Sequence, residues 1–143
     1  MKKIIYFSSI IGALLISINT YATNNTHNKE NKTFRHSFHH AKNVHRFDKE
    51  NGTVEYDFLL KGKYVAAFYD ETGNLTETDF SIAFKDLPAK AQEFIRSEFK
   101  NPAITDITKV EHKQNIFYKI NLEANGNEYS ILASPSGEIT MGY

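Results

Sequence analysis

Residues 86–99, Asp86-Leu87-Pro88-Ala89-Lys90-Ala91-Gln92-Glu93-Phe94-Ile95-Arg96-Ser97-Glu98-Phe99, form the best-punctuated helical stretch in the chain, and they limit what the rest can be. Leu87, Ala91, Phe94, Ile95 and Phe99 recur at helical spacing and make one apolar stripe. Pro88 suits a first turn, where its missing N–H costs nothing. Asp86 lies just upstream, where a carboxylate favours the positive end of the helix dipole, and Pro102 ends the run. A helix with a single apolar face must lie on a surface. The neighbouring segments supply one.

Those neighbours alternate at the period of a strand. Val54, Tyr56, Phe58 and Leu60 share one face, as do Ile116, Tyr118, Ile120 and Leu122. Further strands are predicted at residues 44–47, 64–69, 75–78, 104–111, 128–133 and 139–141. They are separated by short Gly-, Asn- and Asp-rich turns that favour antiparallel hairpins. Before them, Phe34, Phe38 and Ala41 mark a shorter helix over residues 34–42. The predicted class is α+β, with helices on one face of an antiparallel sheet.

The N-terminus has a different character. Lys2 and Lys3 precede an apolar run over residues 4–18, and Thr20-Tyr21-Ala22 fits a signal-peptidase site, so residues 1–22 are expected to be a cleaved signal peptide. The run is shorter than the roughly 20 residues a membrane span needs. Export to the periplasm or beyond follows, and the short basic start fits a bacterial source. With no cysteine, no lipid attachment or disulfide is available, and an ordinary hydrophobic core must hold the fold. Residues 23–33 carry no apolar side chain and are expected to be a disordered linker. Loss of Lys2 and Lys3 leaves 15 basic against 17 acidic residues, a net charge of −2. That balance argues against nucleic acid or an anionic membrane as the main partner.

Laying the second half on the first gives a period of about sixty residues. Phe38 meets Phe99. Tyr56, Phe58 and Leu60 meet Tyr118, Ile120 and Leu122. Gly62 and Gly73 meet Gly126 and Gly137 after a two-residue insertion. Apolar face positions and turn glycines match while charged positions do not, which predicts two tandem helix-plus-antiparallel-strand repeats over about residues 34–78 and 86–143. Several local motifs occur in a characteristic order: Tyr69-Asp70-Glu71-Thr72-Gly73, then Asp86-Leu87-Pro88 opening a helix, then Phe117-Tyr118-Lys119-Ile120 and Ser136-Gly137-Glu138-Ile139. With the signal peptide, this resembles the PepSY-like, β-lactamase-inhibitor-like family of exported bacterial proteins over residues 34–143. The resemblance implies an α+β fold of two similar halves, no catalytic residues, and an inhibitory or protein-binding role. That family often shows a tryptophan in the first strand, where this chain has Phe47 and no Trp anywhere.

The chemistry-bearing residues are few. Five of six histidines fall within residues 27–45, and His36 and His40 stand at i and i+4, so His36, His39 and His40 form a candidate Zn²⁺ or Cu²⁺ site, with His45 as the alternative third ligand to His39. A serine elbow, a His-Glu-x-x-His pair and a phosphate-cradling loop are all missing from the sequence, and Asp70 and Asp79 are assigned to turns, so no enzyme is expected. In residues 64–69, Tyr64, Ala66 and Phe68 share one face while Val65, Ala67 and Tyr69 share the other. One of the two sets must therefore point away from the helices. Tyr64, Phe68 and Tyr69 are the candidate protein-binding residues. The expected function is that of an exported non-catalytic module binding a protein in the envelope or outside the cell, without a cofactor. The alternative is a periplasmic metal-binding accessory that uses the His-rich helix.

Overall fold

A computed structural model describes residues 27–142 of the chain. The predicted signal peptide and residues 23–26 of the predicted linker lie outside them. In chain order the structure runs α1 (His27–Ser37), β1 (Lys42–Asp48), β2 (Val54–Leu60), β3 (Lys63–Tyr69), β4 (Leu75–Ser81), a 3₁₀ turn (Phe84–Asp86), α2 (Ala89–Glu98), β5 (Ala103–His112), β6 (Asn115–Ala124), β7 (Asn127–Ala133) and β8 (Ile139–Gly142). The eight strands form one sheet in sequence order, and every neighbouring pair is antiparallel. The class is α+β, dominated by strands.

Both helices lie on the same face of this sheet. Phe80, Lys109, Tyr118 and Ala133 stand side by side across β4 to β7 and so share a face. Phe80 packs into the core under α1, and Ala133 belongs to the core under α2. The first core gathers Phe34 with Val54, Tyr56, Phe58, Val65, Ala67 and Tyr69. The Phe34 ring stacks on Tyr56 at 4.3 Å and meets Phe58 edge-on at 5.1 Å. The second core sets Leu87, Ala91, Ile95 and Phe99 against Ile107, Ile120, Leu122 and Ile131. The apolar stripe read for α2 is therefore its buried side.

The first helix departs from expectation. Residues 27–33, expected as disordered linker, are helical, and the helix stops at Ser37 instead of continuing to residue 42. The inward position one turn before Phe34 is filled by Glu30, not by an apolar residue. Glu30 is 2% exposed and lies 3.5 Å from Arg46 on β1. Thr33 donates to the Lys29 carbonyl and Arg35 to Asn31 within the same helix. A buried carboxylate paired with arginine does the work an apolar side chain would do, and a scan for apolar spacing does not register it.

Two turns fasten the helices to the sheet. Gly73, between β3 and β4, has φ of +78°, and a Cβ there would lie 2.9 Å from the Glu30 backbone nitrogen of α1. Gly137, between β7 and β8, has φ of +81°, and a Cβ there would lie 2.5 Å from the Lys90 Cβ of α2. Each turn closes by the same bonds. Gly73 N–H donates to Asp70 O and Asn74 N–H to Asp70 Oδ1; Gly137 N–H donates to Ser134 O and Glu138 N–H to Ser134 Oγ.

Gly126 isolates the backbone part of this effect, because it shares the positive φ but has open space around it. Gly126→Ala is expected to cost about 1 kcal/mol of stability, from left-handed strain alone. Gly137→Ala is expected to cost about 2–4 kcal/mol, because overpacking against α2 adds to the strain. Urea denaturation of both variants checks the difference, and equal losses would show that the close approach to α2 carries no energy.

Candidate binding face

Strand alternation sends every second side chain of the sheet away from the helices. Because cross-strand partners share a face, register maps that side directly. One row runs Phe47, Glu55, Phe68, Glu77, His112 from β1 to β5. The next runs His45, Asp57, Ala66, Asp79, Val110, and a third continues Leu59 and Tyr64 on β2 and β3. Glu55-Tyr56-Asp57 on β2 and Glu77-Thr78-Asp79 on β4 thus present two acid pairs on either side of β3. The methyl group of Ala66 forms the floor between Asp57 and Asp79. The short side chain there, with Tyr64 and Phe68 rising on the same strand, leaves a depression of about 680 Å³ on this face. Lys49, Asp57, Tyr64, Phe68, Asp79 and Lys119 are among its lining residues.

Its electrostatics are uneven. Lys49 pairs with Glu55, His112 Nδ1 lies 2.9 Å from Glu77, and Lys119 reaches Asp79 Oδ2 only at 3.9 Å. The Asp79 side chain is 12% exposed. Oδ1 of Asp57 and Oδ1 of Asp79 are both buried with no hydrogen-bond partner among the described residues. Burial, reinforced by the Glu55 charge alongside, pushes the Asp57 carboxyl up to about 6. Burial also raises Asp79 to about 6, the Lys119 charge offsetting part of it.

Asp70 behaves in the opposite way. It accepts from the Thr72 and Asn74 backbone N–H groups and from the Thr72 hydroxyl, and these bonds hold its carboxyl down at about 2. Asp70 is a turn residue, as expected. Asp79 is not: it stands within β4.

The expected site residues separate. Tyr64, 62% exposed, and the half-buried Phe68 lie on the helix-free face at the depression. Tyr69 does not join them. It is 0% exposed, on the helix side of the sheet, with its ring edge-on to Tyr56 at 5.7 Å, and it belongs to the core under α1. The consecutive alanines Ala66 and Ala67 hid which phase of this strand faces inward. Phe47, at the position where the resembled family often has tryptophan, is 42% exposed and shares a row with Glu55 and Phe68.

His36 lies in the last turn of α1, whereas His39 and His40 fall in the turn after it with their rings 4.0 Å apart. The helical i, i+4 spacing assumed for His36 and His40 is therefore broken. No group of three or more His, Cys, Asp or Glu side chains able to hold a metal ion occurs among the described residues. Sequence reasoning passed over Asp57 and assigned Asp79 to a turn. Their signal was the Glu-x-Asp pattern, repeated on two strands whose intervening residues point into the core.

Among solved structures the chain is similar to a BLIP-like protein from Bacteroides fragilis, with a TM-score of 0.72 and 15% identity over 85% of this chain and 87% of that one. It is similar as well to a DUF2874 family protein from Bacteroides uniformis (TM-score 0.70, 18% identity, 78% of this chain and 83% of that one). A third is a protein from Bacteroides eggerthii with a provisional periplasmic description (TM-score 0.73, 16% identity, 86% and 89% covered). No family model and no curated protein matches the chain. At these identities the likeness is one of fold, and the fold is that of the BLIP-like protein.

An aspartate whose folded-state pKa stands above its unfolded value binds its proton more tightly when folded. Its contribution to stability is therefore most favourable below the unfolded pKa of 3.8 and is lost as pH rises through about 6. The replacements Asp57→Asn and Asp79→Asn are expected to stabilise the protein near pH 7.5, by about 1 kcal/mol each after allowance for partial solvent screening. The gain should vanish near pH 4. Urea midpoints of both variants across that range check it, and a loss of stability at pH 7.5 would contradict the burial argument. Asp70 titrates well below this window and leaves the comparison undisturbed.

Proposed function

We propose that this chain is an exported, non-catalytic binding module that engages a protein through the helix-free face of its sheet, in the periplasm or outside the cell. One observation carries the reading: the face opposite both helices is left uncovered by the described elements and presents Tyr64, 62% exposed, with Phe68 and Phe47 around a depression. Large aromatic side chains held on a rigid sheet give contact area at little conformational cost, which is the character of protein-binding hot spots. The fold shared with a BLIP-like protein agrees with a binding role. The signal-like N-terminal run and the fold shared with the Bacteroides eggerthii protein agree with export.

Where two carboxyls divide the roles of acid and base, their surroundings push their pKa values apart. Asp57 and Asp79 are raised alike to about 6, which suits recognition better than a division of catalytic roles. We further read the chain as tandem copies of one helix-plus-four-strand unit. The matching turn bonds at Gly73 and Gly137, each against its own helix, support this.

The test is affinity capture from envelope extract, with mature protein as bait beside a Tyr64→Ala/Phe68→Ala variant. A partner retained by the native face should fall at least about tenfold with the variant, as loss of central aromatic anchors implies. Equal retention by both would place binding elsewhere on the molecule.

A further inference from the structure

We infer that the depression over Ala66 is a receptor for the guanidinium group of an arginine presented by a loop or extended segment of the partner. The inference rests on the reading that this face binds a protein and goes on to name the chemistry it binds. Strands two apart in a sheet are separated by about 9–10 Å, so Asp57 and Asp79 flank Ala66 with room between them for one planar cation. The lining carries five acids, Glu50, Glu55, Asp57, Glu77 and Asp79, against Lys49 and Lys119. The lysines do not balance it: Lys49 is engaged by Glu55, and Lys119 stands 3.9 Å from a single oxygen of Asp79.

Each of the two central aspartates keeps one buried oxygen without a donor among the described residues, and the Asp79 side chain is only 12% exposed. A guanidinium supplies five N–H donors in a rigid plane, reaches two carboxylates at once and stacks on aromatic faces, here Tyr64 and Phe68. An ammonium is a compact, strongly hydrated point charge and loses these advantages. A metal ion is disfavoured by the lack of a third ligating side chain of suitable placement among the described residues.

Protonation should release such a ligand. The charged and titratable groups facing the two aspartates are His45 on β1, Lys49 and Glu50 in the β1–β2 turn, Glu55 on β2, Glu77 on β4, His112 on β5 and Lys119 on β6. On acidification the raised carboxyls lose negative charge. That change opposes a cation, so affinity for arginine falls as pH drops from about 7.5 to about 5.

The experiment is a titration of the described chain with the capped tripeptide acetyl-Gly-Arg-Gly-amide, followed by the NMR signals of the Ala66 methyl group and the Asp57 and Asp79 carboxyl carbons. Saturable shifts at these three sites are expected near pH 7.5 with probe up to about 20 mM, the range set by one small charge-assisted contact. The same peptide with citrulline for arginine should bind at least about tenfold more weakly, as should the Asp57→Asn/Asp79→Asn variant and the native protein near pH 5, since each removes the charge from one side of the contact. No shift at Ala66, equal binding of citrulline, or an affinity within about twofold in the double variant would overturn the inference. The broader reading fails separately. A partner whose capture depends on Tyr64 and Phe68 but not on the two aspartates would leave a protein-binding face without an arginine receptor.

Discussion

The contact between the two short helices and a single face of the sheet is the constraint on which everything else depends. α1 has eleven residues and α2 ten, lengths at which an isolated helix is marginal in water. Each exists because the sheet completes it. Phe34 lies flat on Tyr56 in one core, and Leu87, Ala91 and Ile95 cover Ile120 and Ile131 in the other. The glycine turns at Gly73 and Gly137 let the sheet approach each helix more closely than a side chain permits. Without disulfides, burial on this side must supply most of the fold's stability.

That arrangement determines the character of the opposite side. Two helices on one face leave the other without a helix above it, although Thr108 and Val110 of β5 are buried there. There the chain holds acid pairs on β2 and β4, with Asp57 and Asp79 raised by burial and each keeping a buried oxygen without a donor among the described residues. These groups oppose stability at neutral pH. Stability given up at a cluster of aromatic and acidic side chains is the usual mark of a surface shaped for a ligand. The protein-binding reading and the arginine-receptor inference both rest on this asymmetry between the two faces.

Much of the architecture was legible in the sequence because it is built from strict periods. α2 announces itself by Pro88, Pro102 and an unmixed apolar stripe, and β2 and β6 by clean alternation of aromatic and aliphatic residues. Legibility failed where a polar group took an inward position or small residues erased the phase. Glu30 faces inward on α1 and is paired with Arg46, so residues 27–33 looked fit only for disorder. Ala66 and Ala67 made the two faces of β3 equivalent by size, leaving Tyr69 among the exposed candidates although β2 packs it into the core. Asp79 resembled a turn residue because its strand, Leu75-Thr76-Glu77-Thr78-Asp79-Phe80-Ser81, has few apolar side chains. The site emerges only when register brings Asp57, Ala66 and Asp79 into one row.

The most direct measurement is the pH titration of the Asp57 and Asp79 carboxyl carbons by NMR in the free protein. Both midpoints should lie near 6, with the Asp70 midpoint near 2 as an internal contrast from the same spectra. Midpoints for Asp57 and Asp79 at the ordinary aspartate value, about 4, would mean that these carboxylates are solvated or paired. The helix-free face would then have no unmet demand for a cation.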